Sequence, residues 1–295
     1  MNTLKTKIDF YALAAVNMAN PNGDPLSGNR PRTDNNELGE MSAECIKRKI
    51  RNRMQDLGNS IFVQADDRID DGYGSLSARA DALIGKTGKG ANKLTRAEYA
   101  EKANRLFLDV RSFGQVFAFG KNEKNDDSDS ISVGIRGPVS VHQAVSVSPV
   151  IIEDVQITKS TNADQKDTDA GKRGSDTMGM KHFVRFGLYK IKGSINVQLA
   201  EKTGFSEEDA AVIKECLRTL FVNDASSARP DGSMEVVKLF WWQHNCKDGQ
   251  YSSAKVHRSV QISLRDPEVI PASVDDYVIS VLPLAGLEPE IIDGV

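Results

Sequence analysis

An α+β chain built on an antiparallel sheet is predicted by three features of these 295 residues. Two long runs have a strand's two-residue period: residues 8–18 put an apolar or small side chain at every second position, and residues 189–199 alternate apolar with polar, the mark of a half-buried strand. Two amphipathic segments, opening at Ser42 and Ser206, carry helix caps. In chain order the elements run strand, helix, several strands, helix, strand. That order suits a split β-α-β, ferredoxin-like core with insertions, and the length fits one elaborated domain over 1–295.

The first strand places Ile8, Phe10, Ala12, Ala14, Val16 and Met18 on one face, and a Gly/Asn/Pro-rich loop over residues 20–32 ends it. Ser42 then caps a helix with Ile46, Ile50, Met54 and Leu57 on one side. Lys47, Arg48 and Arg51 fall to the other side, and Gly58 offers a stop. Residues 64–105 read as an insertion. They hold the acids Asp66, Asp67, Asp70 and Asp71, a glycine-rich basic loop, and a short helix near residues 94–98. Residues 109–117 are apolar enough to be buried, and a polar loop over 121–130 follows. Residues 131–139 alternate and turn at Gly137-Pro138.

Residues 155–158 are strand-like, and 161–175 are almost free of apolar side chains. The long alternating strand after them puts Tyr189, Ile191, Gly193, Ile195, Val197 and Leu199 on one face. Lys190, Lys192, Ser194, Asn196 and Gln198 lie on the other. A polar stretch between two strands makes 155–180 a protruding hairpin rather than a linker. Ser206 opens the second helix, with Asp209 at the capping-box position and Ile213, Leu217 and Leu220 as its buried stripe. Residues 233–244 form another strand, for which Val256, Val260, Ile262 and Leu264 supply an expected partner. Residues 279–284 are expected to be buried or docked at an edge.

The formal net charge is −3. Bulk attraction to nucleic acid is therefore excluded, whereas a local basic groove is not. The three cysteines, Cys45, Cys216 and Cys246, are odd in number and far apart, which fits a reducing compartment. No run reaches the length of a membrane span, so a cytoplasmic protein is expected. Gly85-Lys86-Thr87 lacks the upstream glycine of a phosphate-binding loop, since Ala80 stands there. His244, Cys246 and His257 match no zinc spacing. The Asp66–Asp71 acids fail calcium-loop spacing and read as a solvated loop. No metal or cofactor is implied. No catalytic arrangement stands out either, although a metal-independent ribonuclease using one histidine and nearby lysines is an alternative.

The basic helix is the leading candidate site. Lys47, Arg48, Lys49, Arg51 and Arg53 include no acid among them and cannot all be paired within the helix. They offer a phosphate surface without base specificity. The preceding loop adds Gly23 and Gly28, which permit close backbone approach, and Arg30 and Arg32 flanking Pro31.

Four segments carry a resemblance: residues 20–32, with Asn22-Gly23-Asp24 and Gly28-Asn29-Arg30-Pro31-Arg32; residues 45–52; residues 134–139; and residues 175–189. Together they resemble the repeated backbone subunit of the type I-C CRISPR surveillance complex, the Cascade of that subtype. The resemblance implies a ferredoxin-like, RNA-recognition-motif-like palm with finger and thumb insertions. It implies a structural RNA-binding module, not a nuclease. Copies would polymerise along the CRISPR guide RNA and present its bases to target DNA, beside other type I-C subunits. Asn22, Gly23, Asp24, Gly28, Asn29, Arg30, Arg32, Lys47, Arg48 and Arg51 would be guide contacts or their supports. Residues 155–180 would be the thumb, with Met178 its apolar wedge, and 64–105 the finger or web. The thumb departs in charge: Asp164, Asp167, Asp169 and Asp176 offset Lys166, Lys172 and Arg173.

Overall fold

The computed structural model describes residues 2–88, 93–118, 132–158 and 178–295. Its first half comprises strands β1 (Ile8–Ala19), β2 (Gly23–Asp24), β3 (Arg30–Pro31) and β4 (Leu38–Met41), then helix α1 (Ala43–Asp56). Helices α2 (Leu76–Arg79), α3 (Arg96–Leu106) and α4 (Leu108–Phe113) follow, with strands β5 (Gly114–Phe117), β6 (Val133–Arg136), β7 (Val139–Val141), β8 (Ala144–Pro149) and β9 (Ile152–Thr158). The remainder holds β10 (Met178–Ile195), α5 (Val197–Thr203), α6 (Glu207–Arg218), β11 (Met234–Gln243), α7 (Ser253–Ser259), β12 (Val260–Leu264), β13 (Tyr277–Val281) and β14 (Glu290–Asp293).

The main sheet runs β14-β11-β1-β10-β8-β4, with β7 and β9 also on β10. The segments β1, α1, β8, β10, α6 and β11 give the strand order fourth-first-third-second, with antiparallel neighbours throughout. This is the ferredoxin-like arrangement expected. Phe10, Ala12, Ala14 and Val16 enter a core with Ile46, Ile50 and Met54 of α1 and Ile213 and Leu217 of α6. Tyr11, Leu13 and Ala15 enter a second core on the opposite face, with Val256, Val260 and Tyr277. Each face of the central sheet therefore carries a core. A third core gathers Phe62, Ala80, Ile84, Tyr99, Ala103, Phe107, Val110, Phe117 and Val133. The segment 64–105 packs there, joined by residues from 107 to 135. The short helix expected near 94–98 is α3, closed by a Thr95–Glu98 capping box.

Several local expectations are corrected. Met18 leaves the buried face, because its φ is 50° and its side chain is exposed. Leu57 is the C-cap of α1 and is exposed, one step past the buried stripe. Val197 and Leu199 belong to α5, not to the strand, because the Asn196 side chain accepts a hydrogen bond from Leu199 N at 2.8 Å and starts a helix. Val256 lies in α7, and β12 pairs with β13 rather than with β11. The acids near residue 70 are not merely solvated. Asp71 accepts from the Arg79 guanidinium at 2.5 and 2.9 Å, and Asp70 accepts from Gln55 and Gln64. The polar loop at 121–130 and the polar stretch 161–175 lie outside the described residues.

The second core is latched to β1 by charge. Asp9, fully buried, accepts from His244 Nε2 at 2.8 Å and lies 3.1 Å from Lys7 Nζ. His244 Nδ1 in turn accepts from Gln250 N at 2.9 Å, which places the ring proton on Nε2. Burial raises the Asp9 pKa, but hydrogen bonds from His244, Ser253 and Lys7 outweigh it and hold the carboxyl below its usual range. A group with a depressed folded pKa contributes stability that is complete above its unfolded pKa and lost as pH falls through the folded value. The expected result is acid-side destabilisation beginning below about pH 4. Asp9→Asn should be less stable than the wild type at neutral pH by about 1–3 kcal/mol, with the difference shrinking in acid. Urea melts at a series of pH values measure it, and a pH-independent difference would mean that the Asp9 charge contributes nothing.

Candidate nucleic-acid interface

The loop after β1 is held as a small built unit. β2 and β3 pair Gly23 with Pro31 and Asp24 with Arg30. A Cβ on Gly23 would lie 2.0 Å from Asn29 Oδ1 and 2.9 Å from the Asn29 backbone O, a close approach that favours glycine. Gly28 and Asn29 both take left-handed φ values, 65° and 61°, to reverse the chain. Asp24 accepts from Ser27 Oγ at 2.9 Å and Leu26 N at 3.2 Å, and lies 3.5 Å from Arg32 Nη2. The Ser27 and Leu26 hydrogen bonds, helped by Arg32, hold its carboxyl below the usual range. Asp24 thus shapes the loop. Asn22 Oδ1 accepts from Ser42 N at 2.8 Å, which ties the loop to the N-terminus of α1.

Arg30 reaches across to the β9–β10 ribbon. Its Nη1 donates to Asp154 Oδ1 at 2.5 Å, and His182 Nδ1 meets the same oxygen at 2.6 Å. Arg30 first, then His182, keeps the exposed Asp154 carboxyl ionised below its usual range. A cleft of about 110 Å³ opens beside this cluster, lined by Asn20, Gly28, Asn29, Met180 and Lys181 among others. Asn20 Nδ2 donates to Asn29 O at 2.6 Å, and its buried Oδ1 has no partner. Lys181 Nζ donates to Ser227 O at 3.3 Å.

The cations of α1 tell a different story from the sequence. No acid stands between Lys47 and Arg53, yet three of these cations find one, Asp56 from the next turn of α1 and the other two from afar. Lys49 pairs with Asp224, and Arg53 with Asp56 at 2.8 Å. Arg51 Nε donates to Asp109 at 2.9 Å, a carboxylate that also accepts from Phe62 N and Val63 N. Arg48 donates to Val63 O at 2.7 Å and Asn52 Oδ1 at 3.0 Å. Burial, then the charge of Arg51, pushes the Arg48 pKa down to about 10, which leaves it charged at neutral pH. Lys47 lies 5.9 Å over the Phe113 ring and has no acid partner among the described residues. Arg48 and Arg51 therefore brace α1 against the third core, and Lys47 is the cation of this face left for an outside anion.

Residues 6–282 match the family described as CRISPR-associated protein Cas7. The chain belongs to the Cas7 family. A CRISPR-associated protein Cas7 of Haloferax volcanii is 24% identical over 288 residues, covering 94% of this chain and 81% of that protein. Among solved structures, a chain of a CRISPR RNA-guided surveillance complex, pre-nicking, shares 16% identity at a TM-score of 0.49, over 85% of this chain and 82% of its own. A chain of a second CRISPR RNA-guided surveillance complex shares 17% at 0.47, over 90% and 78%.

In this Cas7-family chain the ribbon next to the loop exposes apolar side chains on both faces. Antiparallel pairing sets Met178, Met180 and Gln156 on one face with Asp154 and His182, and Val155, Ile157 and Phe183 on the other. Met178 is 68% exposed and receives Gln156 Nε2 at 3.1 Å from its sulfur. The hairpin tip beyond it, residues 159–177, lies outside the described residues. Asn20, Lys181 and His182 were not singled out by spacing or charge. The one available signal was the exposed alternation of residues 178–182 beside the loop's glycines. Two further histidines are structural: His244 holds Asp9, and His257 Nε2 donates to Gly193 O at 3.1 Å. Among the described residues no cluster of His, Cys, Asp and Glu is arranged to hold a metal ion, and no helix is long and apolar enough to cross a membrane.

Proposed function

We propose that this chain is a non-catalytic guide-RNA scaffold, repeated along a CRISPR RNA within a type I-C surveillance complex in the cytoplasm. The observation that carries the reading is the 20–32 loop. It joins Arg30 to the base of the 155–180 hairpin through Asp154, is tied to the N-terminus of α1 through Asn22, and lines the cleft with Gly28 and Asn29. Arg30, Arg32 and Lys47 are proposed phosphate contacts. Asn22, Gly23, Asp24, Gly28 and Asn29 hold the loop's shape, and Arg48 and Arg51 hold the helix. Phosphate contacts position a strand without reading it, which leaves the guide bases free for target DNA. A core on each face of the sheet argues against bases stacking on an open sheet face in the manner of an RNA-recognition motif. Residues 155–180 serve as the thumb, with Met178 as its wedge, and 64–105 as the finger or web. Neighbouring copies and other complex subunits dock around this palm.

Filament growth is then cooperative with RNA length. Native mass spectrometry over a ladder of RNA lengths should show runs of adjacent copies rather than a statistical distribution. The RNA should also be recovered intact. His182, hydrogen-bonded to Asp154 at this edge, is the histidine best placed for a ribonuclease alternative. Metal-independent cleavage of repeat-containing RNA that disappears in His182→Ala would overturn the scaffold reading.

A further inference from the structure

We propose that the sheet face opposite α1 carries a second polyanion contact, formed by Lys190, Lys192 and His142, which takes phosphates of a nucleic-acid strand other than the guide. In assigning the guide elsewhere, it rests on the reading above.

The long strand β10 alternates. Tyr189 and Ile191 enter the first core, so Lys190 and Lys192 face the other way. On that side lies the second core, which holds Phe186 and Leu188 of β10 and Tyr11 and Leu13 of β1. Lys190 and Lys192 are half-buried at its margin, outside the cluster itself. Their cross-strand neighbours are Leu13 and Val145 for Lys190, and Tyr11 for Lys192. None of these is an acid, and neither lysine makes an ion pair among the described residues. Lys192 Nζ lies 5.6 Å over the Tyr11 ring.

His142 adjoins the two lysines. His142 N donates to Lys192 O at 2.9 Å, and its exposed ring meets His257 edge-on at 5.8 Å between centroids. The acid that bears on this corner is Asp9, which is already engaged by His244 and Lys7. Burial, followed by the charge of Lys192, lowers the Lys190 pKa. Two like charges about 6.6 Å apart on one strand face repel unless an anion joins them.

A nucleic-acid strand fits better than an acidic protein. The lysines lie in line along an extended strand, as successive phosphates do. His142 offers an exposed ring for stacking. The patch presents no exposed large apolar side chain for a protein partner to anchor on.

The test uses the full chain saturated with RNA and a labelled, non-complementary oligo-dT of about 30 nucleotides. Lys190→Gln with Lys192→Gln should lower the log–log salt slope of oligo-dT binding by about 1.4, two phosphates at about 0.7 each. Over a fourfold rise in salt the wild type should then lose about sevenfold more affinity than the variant. Retained RNA should not change, and arginine at both positions should restore the slope. An unchanged slope overturns the proposal. So does equal loss of guide RNA in a folded variant, or binding of poly-glutamate where oligo-dT does not bind. Arg30→Ala with Arg32→Ala reports separately on the guide site: RNA retained by that variant would fault the guide assignment and leave the comparison of salt slopes intact.

Discussion

Asp109→Ala is expected to cost about 3–5 kcal/mol of stability, the scale of leaving one member of a buried ion pair behind. Asp109 is fully buried at the start of α4. One of its oxygens accepts from Phe62 N at 2.7 Å, and the other from Val63 N at 3.1 Å and Arg51 Nε at 2.9 Å. Alanine strands two backbone donors and a guanidinium that stacks 5.0 Å over Phe113. Arg51→Met should cost less, because Asp109 keeps both backbone donors and the methionine fills the space. Chemical denaturation of the two variants compares them. Equal or reversed losses would show that Asp109 does not organise this junction. If Asp109→Ala folds at all, its α1 should detach from the third core, seen as faster hydrogen exchange at residues 61–63.

Arg30→Ala with Arg32→Ala is expected to weaken RNA binding by about 10–100-fold per arginine, since a hydrogen bond to a charged group contributes about 1.5–3 kcal/mol. The fold should not change, because both side chains are about 40% exposed. Arg30 already has a partner in Asp154, so a phosphate must compete with that carboxylate. Asp154→Asn should therefore raise RNA affinity, opposite in sign to the arginine variants. Salt titrations with one RNA length measure both. A folded Arg30/Arg32 variant that binds as the wild type does would place the guide elsewhere. Reduced affinity in Asp154→Asn would make Asp154 a support of the bound loop rather than a competitor.

Much of the fold was legible because its signals are local. The pattern at every second position in residues 8–16 and 189–195 follows from the two-residue period of a strand, and both runs became adjacent, antiparallel strands of one sheet. Ser42 and Ser206 cap the helices expected of them, since a cap needs only its own next three residues. The misses are also local in cause. Asn196 turns a strand into a helix, and Met18 breaks a face through its φ. Val256 kept a strand-like spacing that its capped segment overrides.

The candidate site divides along the same line. Glycines 23 and 28 and the loop they shape were readable from residue types, because the left-handed turn and the close approach to Asn29 favour them. The charge of α1 was readable only as a count. The partners of Arg51 and Lys49 are 58 and 175 positions away in sequence, and no local rule chooses them. Periodicity and capping are set by sterics within a few residues, so the sequence by itself determined the two long strands, the two capped helices and the turn of the loop. Ion pairs form between whichever groups packing brings within about 4 Å. Only the tertiary structure, therefore, decided that Arg48 and Arg51 brace the third core while Arg30 and Arg32 stay about 40% exposed and Lys47 keeps no acid partner among the described residues.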